Sequence, residues 1–108
     1  MKAQIEAQKK FAEMVVAIAD SHFEHNDYEI YQVHSLKKLS ESKIVFNYMS
    51  EIDHTLELII GLDENLETYK VFGADDLLFA SKDVEVVIEF LNQQVDEFEA
   101  EIIRNRVC

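Results

Sequence analysis

The spacing of apolar residues changes twice along this chain, and that change restricts its fold more than any other feature. From residue 3 to 24, Ala7, Phe11, Met14, Val15, Ile18 and His22 recur at steps of three and four with no Gly or Pro between them, which predicts an amphipathic helix. At Tyr28 the period falls to two. Strands are predicted over 28–35 (Tyr28, Ile30 against Tyr31, Val33), 43–50 (Ile44, Phe46, Tyr48), 55–61 (Leu56, Leu58, Ile60) and 66–72 (Tyr69, Val71). Gly73 closes the last of them, and Ala74 to Ala80 reads as one helical turn. The period then returns to the helical one: Val84, Ile88, Leu91, Val95, Phe98 and Ile102 form a stripe on a long helix that Ser81 or Asp83 caps and that runs to about Arg104.

Four successive strands with short polar connections imply an antiparallel meander. Lys37 to Ser42 is polar, Ser50 to His54 is short, and Asp63-Glu64-Asn65 after Gly61 is a tight turn. Two helices then most simply cover one face of the sheet. The expectation is an α+β fold of order α-β-β-β-β-α: a four-stranded antiparallel meander flanked by an N-terminal and a long C-terminal helix, as one domain over 1–108. The stripe of the final helix also offers a seam for a second copy, which leaves monomer and homodimer both open. An apolar content of 48 %, with seven Phe and four Tyr, supports folding despite the charge. The lone cysteine, Cys108, excludes an intramolecular disulfide and suits a reducing compartment. No stretch approaches the roughly 20 apolar residues of a membrane span, and the charged opening is unlike a secretory signal. A cytoplasmic location, in a bacterial host cell, is expected.

The charge is unevenly placed. Twenty-two carboxylates face ten Lys and Arg, for a net −12. Residues 1–43 hold six lysines and seven acids; residues 44–108 hold four cations and fifteen acids, so the second part carries −11 of the total. A direct ligand of nucleic acid gains affinity by placing cations on phosphates, so a chain this acidic is excluded from that class. The acids cluster as Glu51, Asp53 and Glu57; Asp63, Glu64 and Glu67; Asp75 and Asp76; and Asp83, Glu85, Glu89, Asp96, Glu97, Glu99 and Glu101 on the final helix. Glu85 and Glu89 are like-charged neighbours on a helix, as are Glu97 and Glu101, and each pair costs tenths of a kcal/mol. Folding alone does not select such pairs; acidic surfaces do also serve solubility. The candidate partner-binding residues are therefore Glu85, Glu89, Asp96, Glu97, Glu57, Asp63, Glu64, Glu67, Asp75 and Asp76, and the partner they suit is a basic groove.

Catalytic and metal-binding patterns are weak. His22 and His25 lie three apart near Glu24 and Asp27, but no Cys is near and His34 and His54 are not at ligand spacing, so no metal is expected. Glu51, Asp53 and His54 fall in a hairpin turn, where solvated polar residues are ordinary. Cys108 has no base held beside it, no Ser has a nucleophile-elbow setting, and two glycines in all make no phosphate-cradling loop. Neither an enzyme nor a cofactor is expected. Lys37, Lys38 and Lys43 are the basic residues of the first hairpin and protect a sheet edge. Tyr28, Tyr31, Tyr48 and Tyr69 alternate between core and outer face, where an open sheet face would offer aromatic anchors.

An acidic, proline-free α+β chain of about a hundred residues without a catalytic set resembles the small phage-encoded inhibitors of host nucleases, the anti-CRISPR proteins among them. The segment Ala7-Gln8-Lys9-Lys10-Phe11-Ala12-Glu13 is similar to the start of one such inhibitor's first helix. The resemblance implies stoichiometric binding to a CRISPR effector that blocks its guide, target or PAM-reading surface, by nucleic-acid mimicry or steric occlusion. Two other functions fit the same residues: an immunity protein that neutralises a cognate toxin nuclease, and a dimeric chaperone-like adaptor that holds an apolar client segment on the open sheet face.

Overall fold

The computed structural model describes residues 2–21, 28–35, 41–49 and 54–107. Helix α1 (Lys2–Asp20) is followed by strands β1 (Tyr28–Val33), β2 (Lys43–Met49), β3 (Thr55–Leu62), β4 (Tyr69–Gly73) and β5 (Asp76–Ser81), then helix α2 (Val84–Val107). The five strands form one sheet in chain order, every neighbour antiparallel, with Ile30 opposite Phe46, Phe46 opposite Leu58 and Ile60 opposite Val71. The α+β class and the meander agree with the sequence. Among the described residues no helix is long and apolar enough to cross a membrane.

Alternation sends Ile44, Phe46, Tyr48, Leu58, Ile60, Tyr69 and Val71 to one face of the sheet, where both helices lie. From α1, Ala7, Phe11, Met14 and Ile18 enter this core at steps of four, three and four. From α2 the deepest residues are Val87, Leu91 and Val95, with Val84, Ile88, Phe90 and Phe98 half-buried beside them. Val87, absent from the sequence-derived stripe, is thus fully buried beside it, and Val84 to Phe98 of the stripe pack inside the chain. Tyr28 stacks on Phe46 at 5.5 Å, Phe79 on Phe90 at 4.5 Å, and Phe98 meets the Tyr48 ring edge-on at 6.2 Å. Each such buried side chain contributes about 1.5–3 kcal/mol. Polar ends are satisfied: the Tyr48 hydroxyl donates to Glu99 Oε1 at 2.7 Å and that of Tyr69 to the Lys10 carbonyl at 3.3 Å. Burial, with the Glu13 charge adding to it, raises the Tyr69 pKa above that of a free phenol.

The fifth strand corrects the four-stranded expectation. Ala74 and Asp75 take positive φ values of 51° and 70°, and Gly73 pairs with Asp76, so these two residues form the hairpin loop in the mirror-image turn that matches strand twist. Asn-Gly or Asp-Gly ordinarily marks that turn, and Ala-Asp carries no such mark. The strand itself hides its period, because a bulge pairs Phe72 with Leu77 but Val71 with Phe79, leaving Leu78 as the extra residue. Leu78 then lies over Gly73, where a Cβ would come within 2.8 Å of its Cδ1. Leu66 is a second correction: assigned by the pattern to a strand, it belongs to the turn before β4, with φ 59° and its side chain buried at 6 % exposure.

Asp63 builds that turn. Its Oδ1 accepts the N–H groups of Glu67 (2.9 Å) and Thr68 (3.1 Å), while its backbone exchanges hydrogen bonds with Thr68 and Leu66. The Ser81 or Asp83 alternative at α2 resolves to Asp83: its Oδ1 accepts the Glu85 N–H at 2.9 Å, and its carbonyl takes the first helical bond from Val87. Ser81 Oγ in turn accepts the Asp83 N–H.

Candidate functional site

The ten candidate carboxylates fall into three groups. The first is on α2. Glu85, Glu89 and Asp96 are four and seven residues apart, so they share a line on the helix, about 6 Å and then about 10 Å between successive members. All three are exposed, on the side away from Val87, Leu91 and Val95. Glu97, turned about 100° from Asp96, leaves this line. Among the described residues the one ion pair is Lys82–Glu67, 3.4 Å, between largely exposed side chains, and no described cation pairs with the α2 stripe. Glu85 has a structural role as well, because an acid in the first turn suits the positive end of the helix.

The second group is the β3–β4 turn. Asp63, Glu64 and Glu67 lie at the end of the sheet where β5 hands over to α2, and the Lys82–Glu67 contact ties the turn to the start of that helix. Asp63 is committed to its turn. The N–H of Thr68 and then that of Glu67 hold its carboxyl below the usual carboxylate value, with the Lys70 charge adding to them. Glu64 and Glu67 remain exposed.

The third group stands apart. Asp75 and Asp76 occupy the β4–β5 hairpin at the opposite end of the sheet, and Glu57 lies on the face that carries no helix. Glu57 and Asp75 share a 370 Å³ open cleft there with Ile59, Phe72 and Ala74. The structure therefore brings Glu85, at the start of the α2 stripe, to the end of the sheet that holds the β3–β4 turn, while Asp75 and Asp76 lie at the other end and Glu57 on the face without helices. Linear spacing conveys the α2 line but not this division, which depends on which ends of the strands meet.

Apolar ground borders the stripe. Glu89 lines a 190 Å³ depression with Phe79, Val86, Phe90 and Gln93, and Glu85 lines one of 280 Å³ with Ala17, Asp20, Ser21, Val84 and Ile88 where the helices meet. Val86, exposed on α2, was not singled out by sequence, since it sits off the core stripe. Of the four tyrosines, Tyr28, Tyr48 and Tyr69 face the helices and Tyr31 lies on the open face. Among the described residues no group of three His, Cys, Asp or Glu is arranged to hold a metal ion. His22, His25, Glu51, Asp53, Lys37, Lys38 and Cys108 lie outside the described residues. No known family matches the chain, and neither curated proteins nor solved structures give a significant similarity to it.

Proposed function

We propose that the protein is an acidic inhibitor that occupies the nucleic-acid-binding groove of a basic nuclease or CRISPR effector and blocks entry of DNA or RNA. The observation that carries this reading is the exposed line Glu85, Glu89, Asp96 on α2, paired with no described cation, together with Glu64 and Glu67 of the turn at the Glu85 end. Carboxylates held near one another without cations oppose folding, and a positively charged groove offsets that opposition. Their spacing is wider than the one charge per about 1.7 Å of duplex axis, so the turn and helix act together rather than one helix tracing a strand. The depression beside Glu89 gives the same surface an apolar anchor of the kind that concentrates binding energy.

The test is a capture from bacterial lysate with and without nuclease treatment, followed by activity assays of the captured protein. Expected are a basic nucleic-acid-binding partner, competition by its own nucleic acid, and an association rate that falls steeply with salt. Reversal of Glu85, Glu89 and Asp96 to Lys abolishes inhibition while the circular dichroism stays native, and reversal of Glu97 alone has a much smaller effect. Retained inhibition in the triple variant excludes this surface, and a captured toxin nuclease encoded beside the gene identifies an immunity protein instead.

A further inference from the structure

The sheet face without helices has its own order. Tyr31, Val45, Ile59, Phe72 and Leu77 are register partners in succession, so one apolar row crosses all five strands. Its two ends are open, Tyr31 at 48 % and Leu77 at 55 % exposure, whereas Val45 within it is 5 % exposed although it lies outside the helix-side core. On one side of this row stand Glu29, Asn47 and Glu57, again register partners, with Asp75 next to Glu57 in the cleft. On the other side stand Lys43, on β2, and Lys70, opposite Gly61 and Ala80. Charge thus changes sign across the row. A chain of net −12 keeps here a patch in which lysines nearly balance carboxylates. Asn47 adds an Oδ1 that is shielded from solvent and accepts no hydrogen bond among the described residues.

A pattern of acid, apolar row and base is complementary to itself under one two-fold axis. With the axis along the row, the rows of two copies superpose and each basic side covers the other copy's acidic side. Lys43 then falls opposite Asn47 of the second copy, between its Glu29 and Glu57, and Lys70 falls near its Glu57 and Asp75. An axis along the strands sets carboxylates on carboxylates. Five strands about 4.8 Å apart and about six residues at roughly 3.3 Å give a face of about 24 by 20 Å. Two such faces bury about 1,000 Å², the lower bound for a specific interface, which calls for a concentration-dependent pair.

We propose that this face is a self-association surface, on which two copies of the chain pack sheet against sheet about a two-fold axis along the Tyr31–Leu77 row, with basic side over acidic side. The sheets then lie about 10 Å apart as in a sandwich, and the helices, with the α2 stripe, point outward on both sides. The dimer does not depend on the inhibitor function, and either stands if the other falls.

The test is analytical ultracentrifugation of the full chain from about 1 µM to about 1 mM, a range that brackets weak protein association. Wild type is expected to shift from 12.6 kDa toward twice that mass as concentration rises. Lys43→Glu with Lys70→Glu makes the face wholly acidic, and Glu29→Lys with Glu57→Lys makes it basic apart from Asp75. Each variant alone stays monomeric, the two mixed form a one-to-one pair, and all four substitutions in one chain restore the homodimer. The mixing experiment reads folded material directly, since an unfolded variant does not rescue its opposite. A wild type that stays monomeric throughout, a dimer that survives both single-sided variants, or variants that fail to pair overturns the proposal. Monomeric wild type that binds a Leu- and Phe-rich peptide with perturbation of Tyr31 and Leu77 assigns the face to a client segment and overturns it equally.

Discussion

The two faces of the sheet are cut from the same strands yet have opposite fates. On the helix side, Phe46, Ile44, Ile60 and Val71 are sealed completely. On the other side, Tyr31 and Leu77 stay half open, and lysines and glutamates border the apolar row. Strand β2 shows why local pattern does not decide between them: Ile44-Val45-Phe46 is apolar on both faces. Docking of α1 and α2 chose the side of Ile44 and Phe46, and Val45 was left on the other. A sheet with one complete core and one partly apolar outer face is stable through the first and available through the second.

The sharpest way to break this contrast is truncation on each side. Phe46→Ala should cost about 3–5 kcal/mol in urea unfolding, whereas Ile59→Ala at low protein concentration should cost far less and should weaken association rather than folding. Equal losses at both positions would erase the distinction between the faces. Val45→Ala lies between the extremes: removal of two buried methyl groups predicts about 1.5 kcal/mol, and a value near that of Phe46→Ala would place Val45 in a second core. Smaller again is Asp83→Ala, which removes the cap of α2 and with it about 1 kcal/mol, read as a lower melting temperature with earlier fraying of the helix that covers the sheet.

Asp63 gives the pH dependence of the turn that ends β3. Its folded pKa lies below the ordinary value of 3.8, so its contribution is present above that value and is lost as pH falls through the lower, folded value. Asp63→Asn should flatten this part of the acid limb in melts below about pH 4, and an unchanged limb would show that the turn holds without the carboxylate. The least effect is expected at Glu89→Gln, which relieves its repulsion with Glu85 and should raise stability by a few tenths of a kcal/mol while weakening partner binding. Lowered stability there would mean that the stripe serves the fold.

Much of this molecule was written in the order of its residues. Periodicity alone marked both helices and four strands, since burial on one side of a helix or a strand imposes its repeat wherever the element is regular; a cap at Ser81 or Asp83 and Glu85 and Glu89 as neighbours are equally local. What depended on the whole fold is of another kind. The fifth strand escaped because a bulge at Leu78 removes its repeat and because Ala74 and Asp75 adopt left-handed backbone without the usual residues. The placing of Glu64 and Glu67 at the end of the sheet that holds Glu85, the removal of Asp75 and Asp76 to the far end, and the apolar row through Val45 all follow from which strands pair and which face the helices cover. Such relations link residues tens of positions apart. A repeat along the chain records each element's own inside and outside, and packing alone determines which outsides become neighbours.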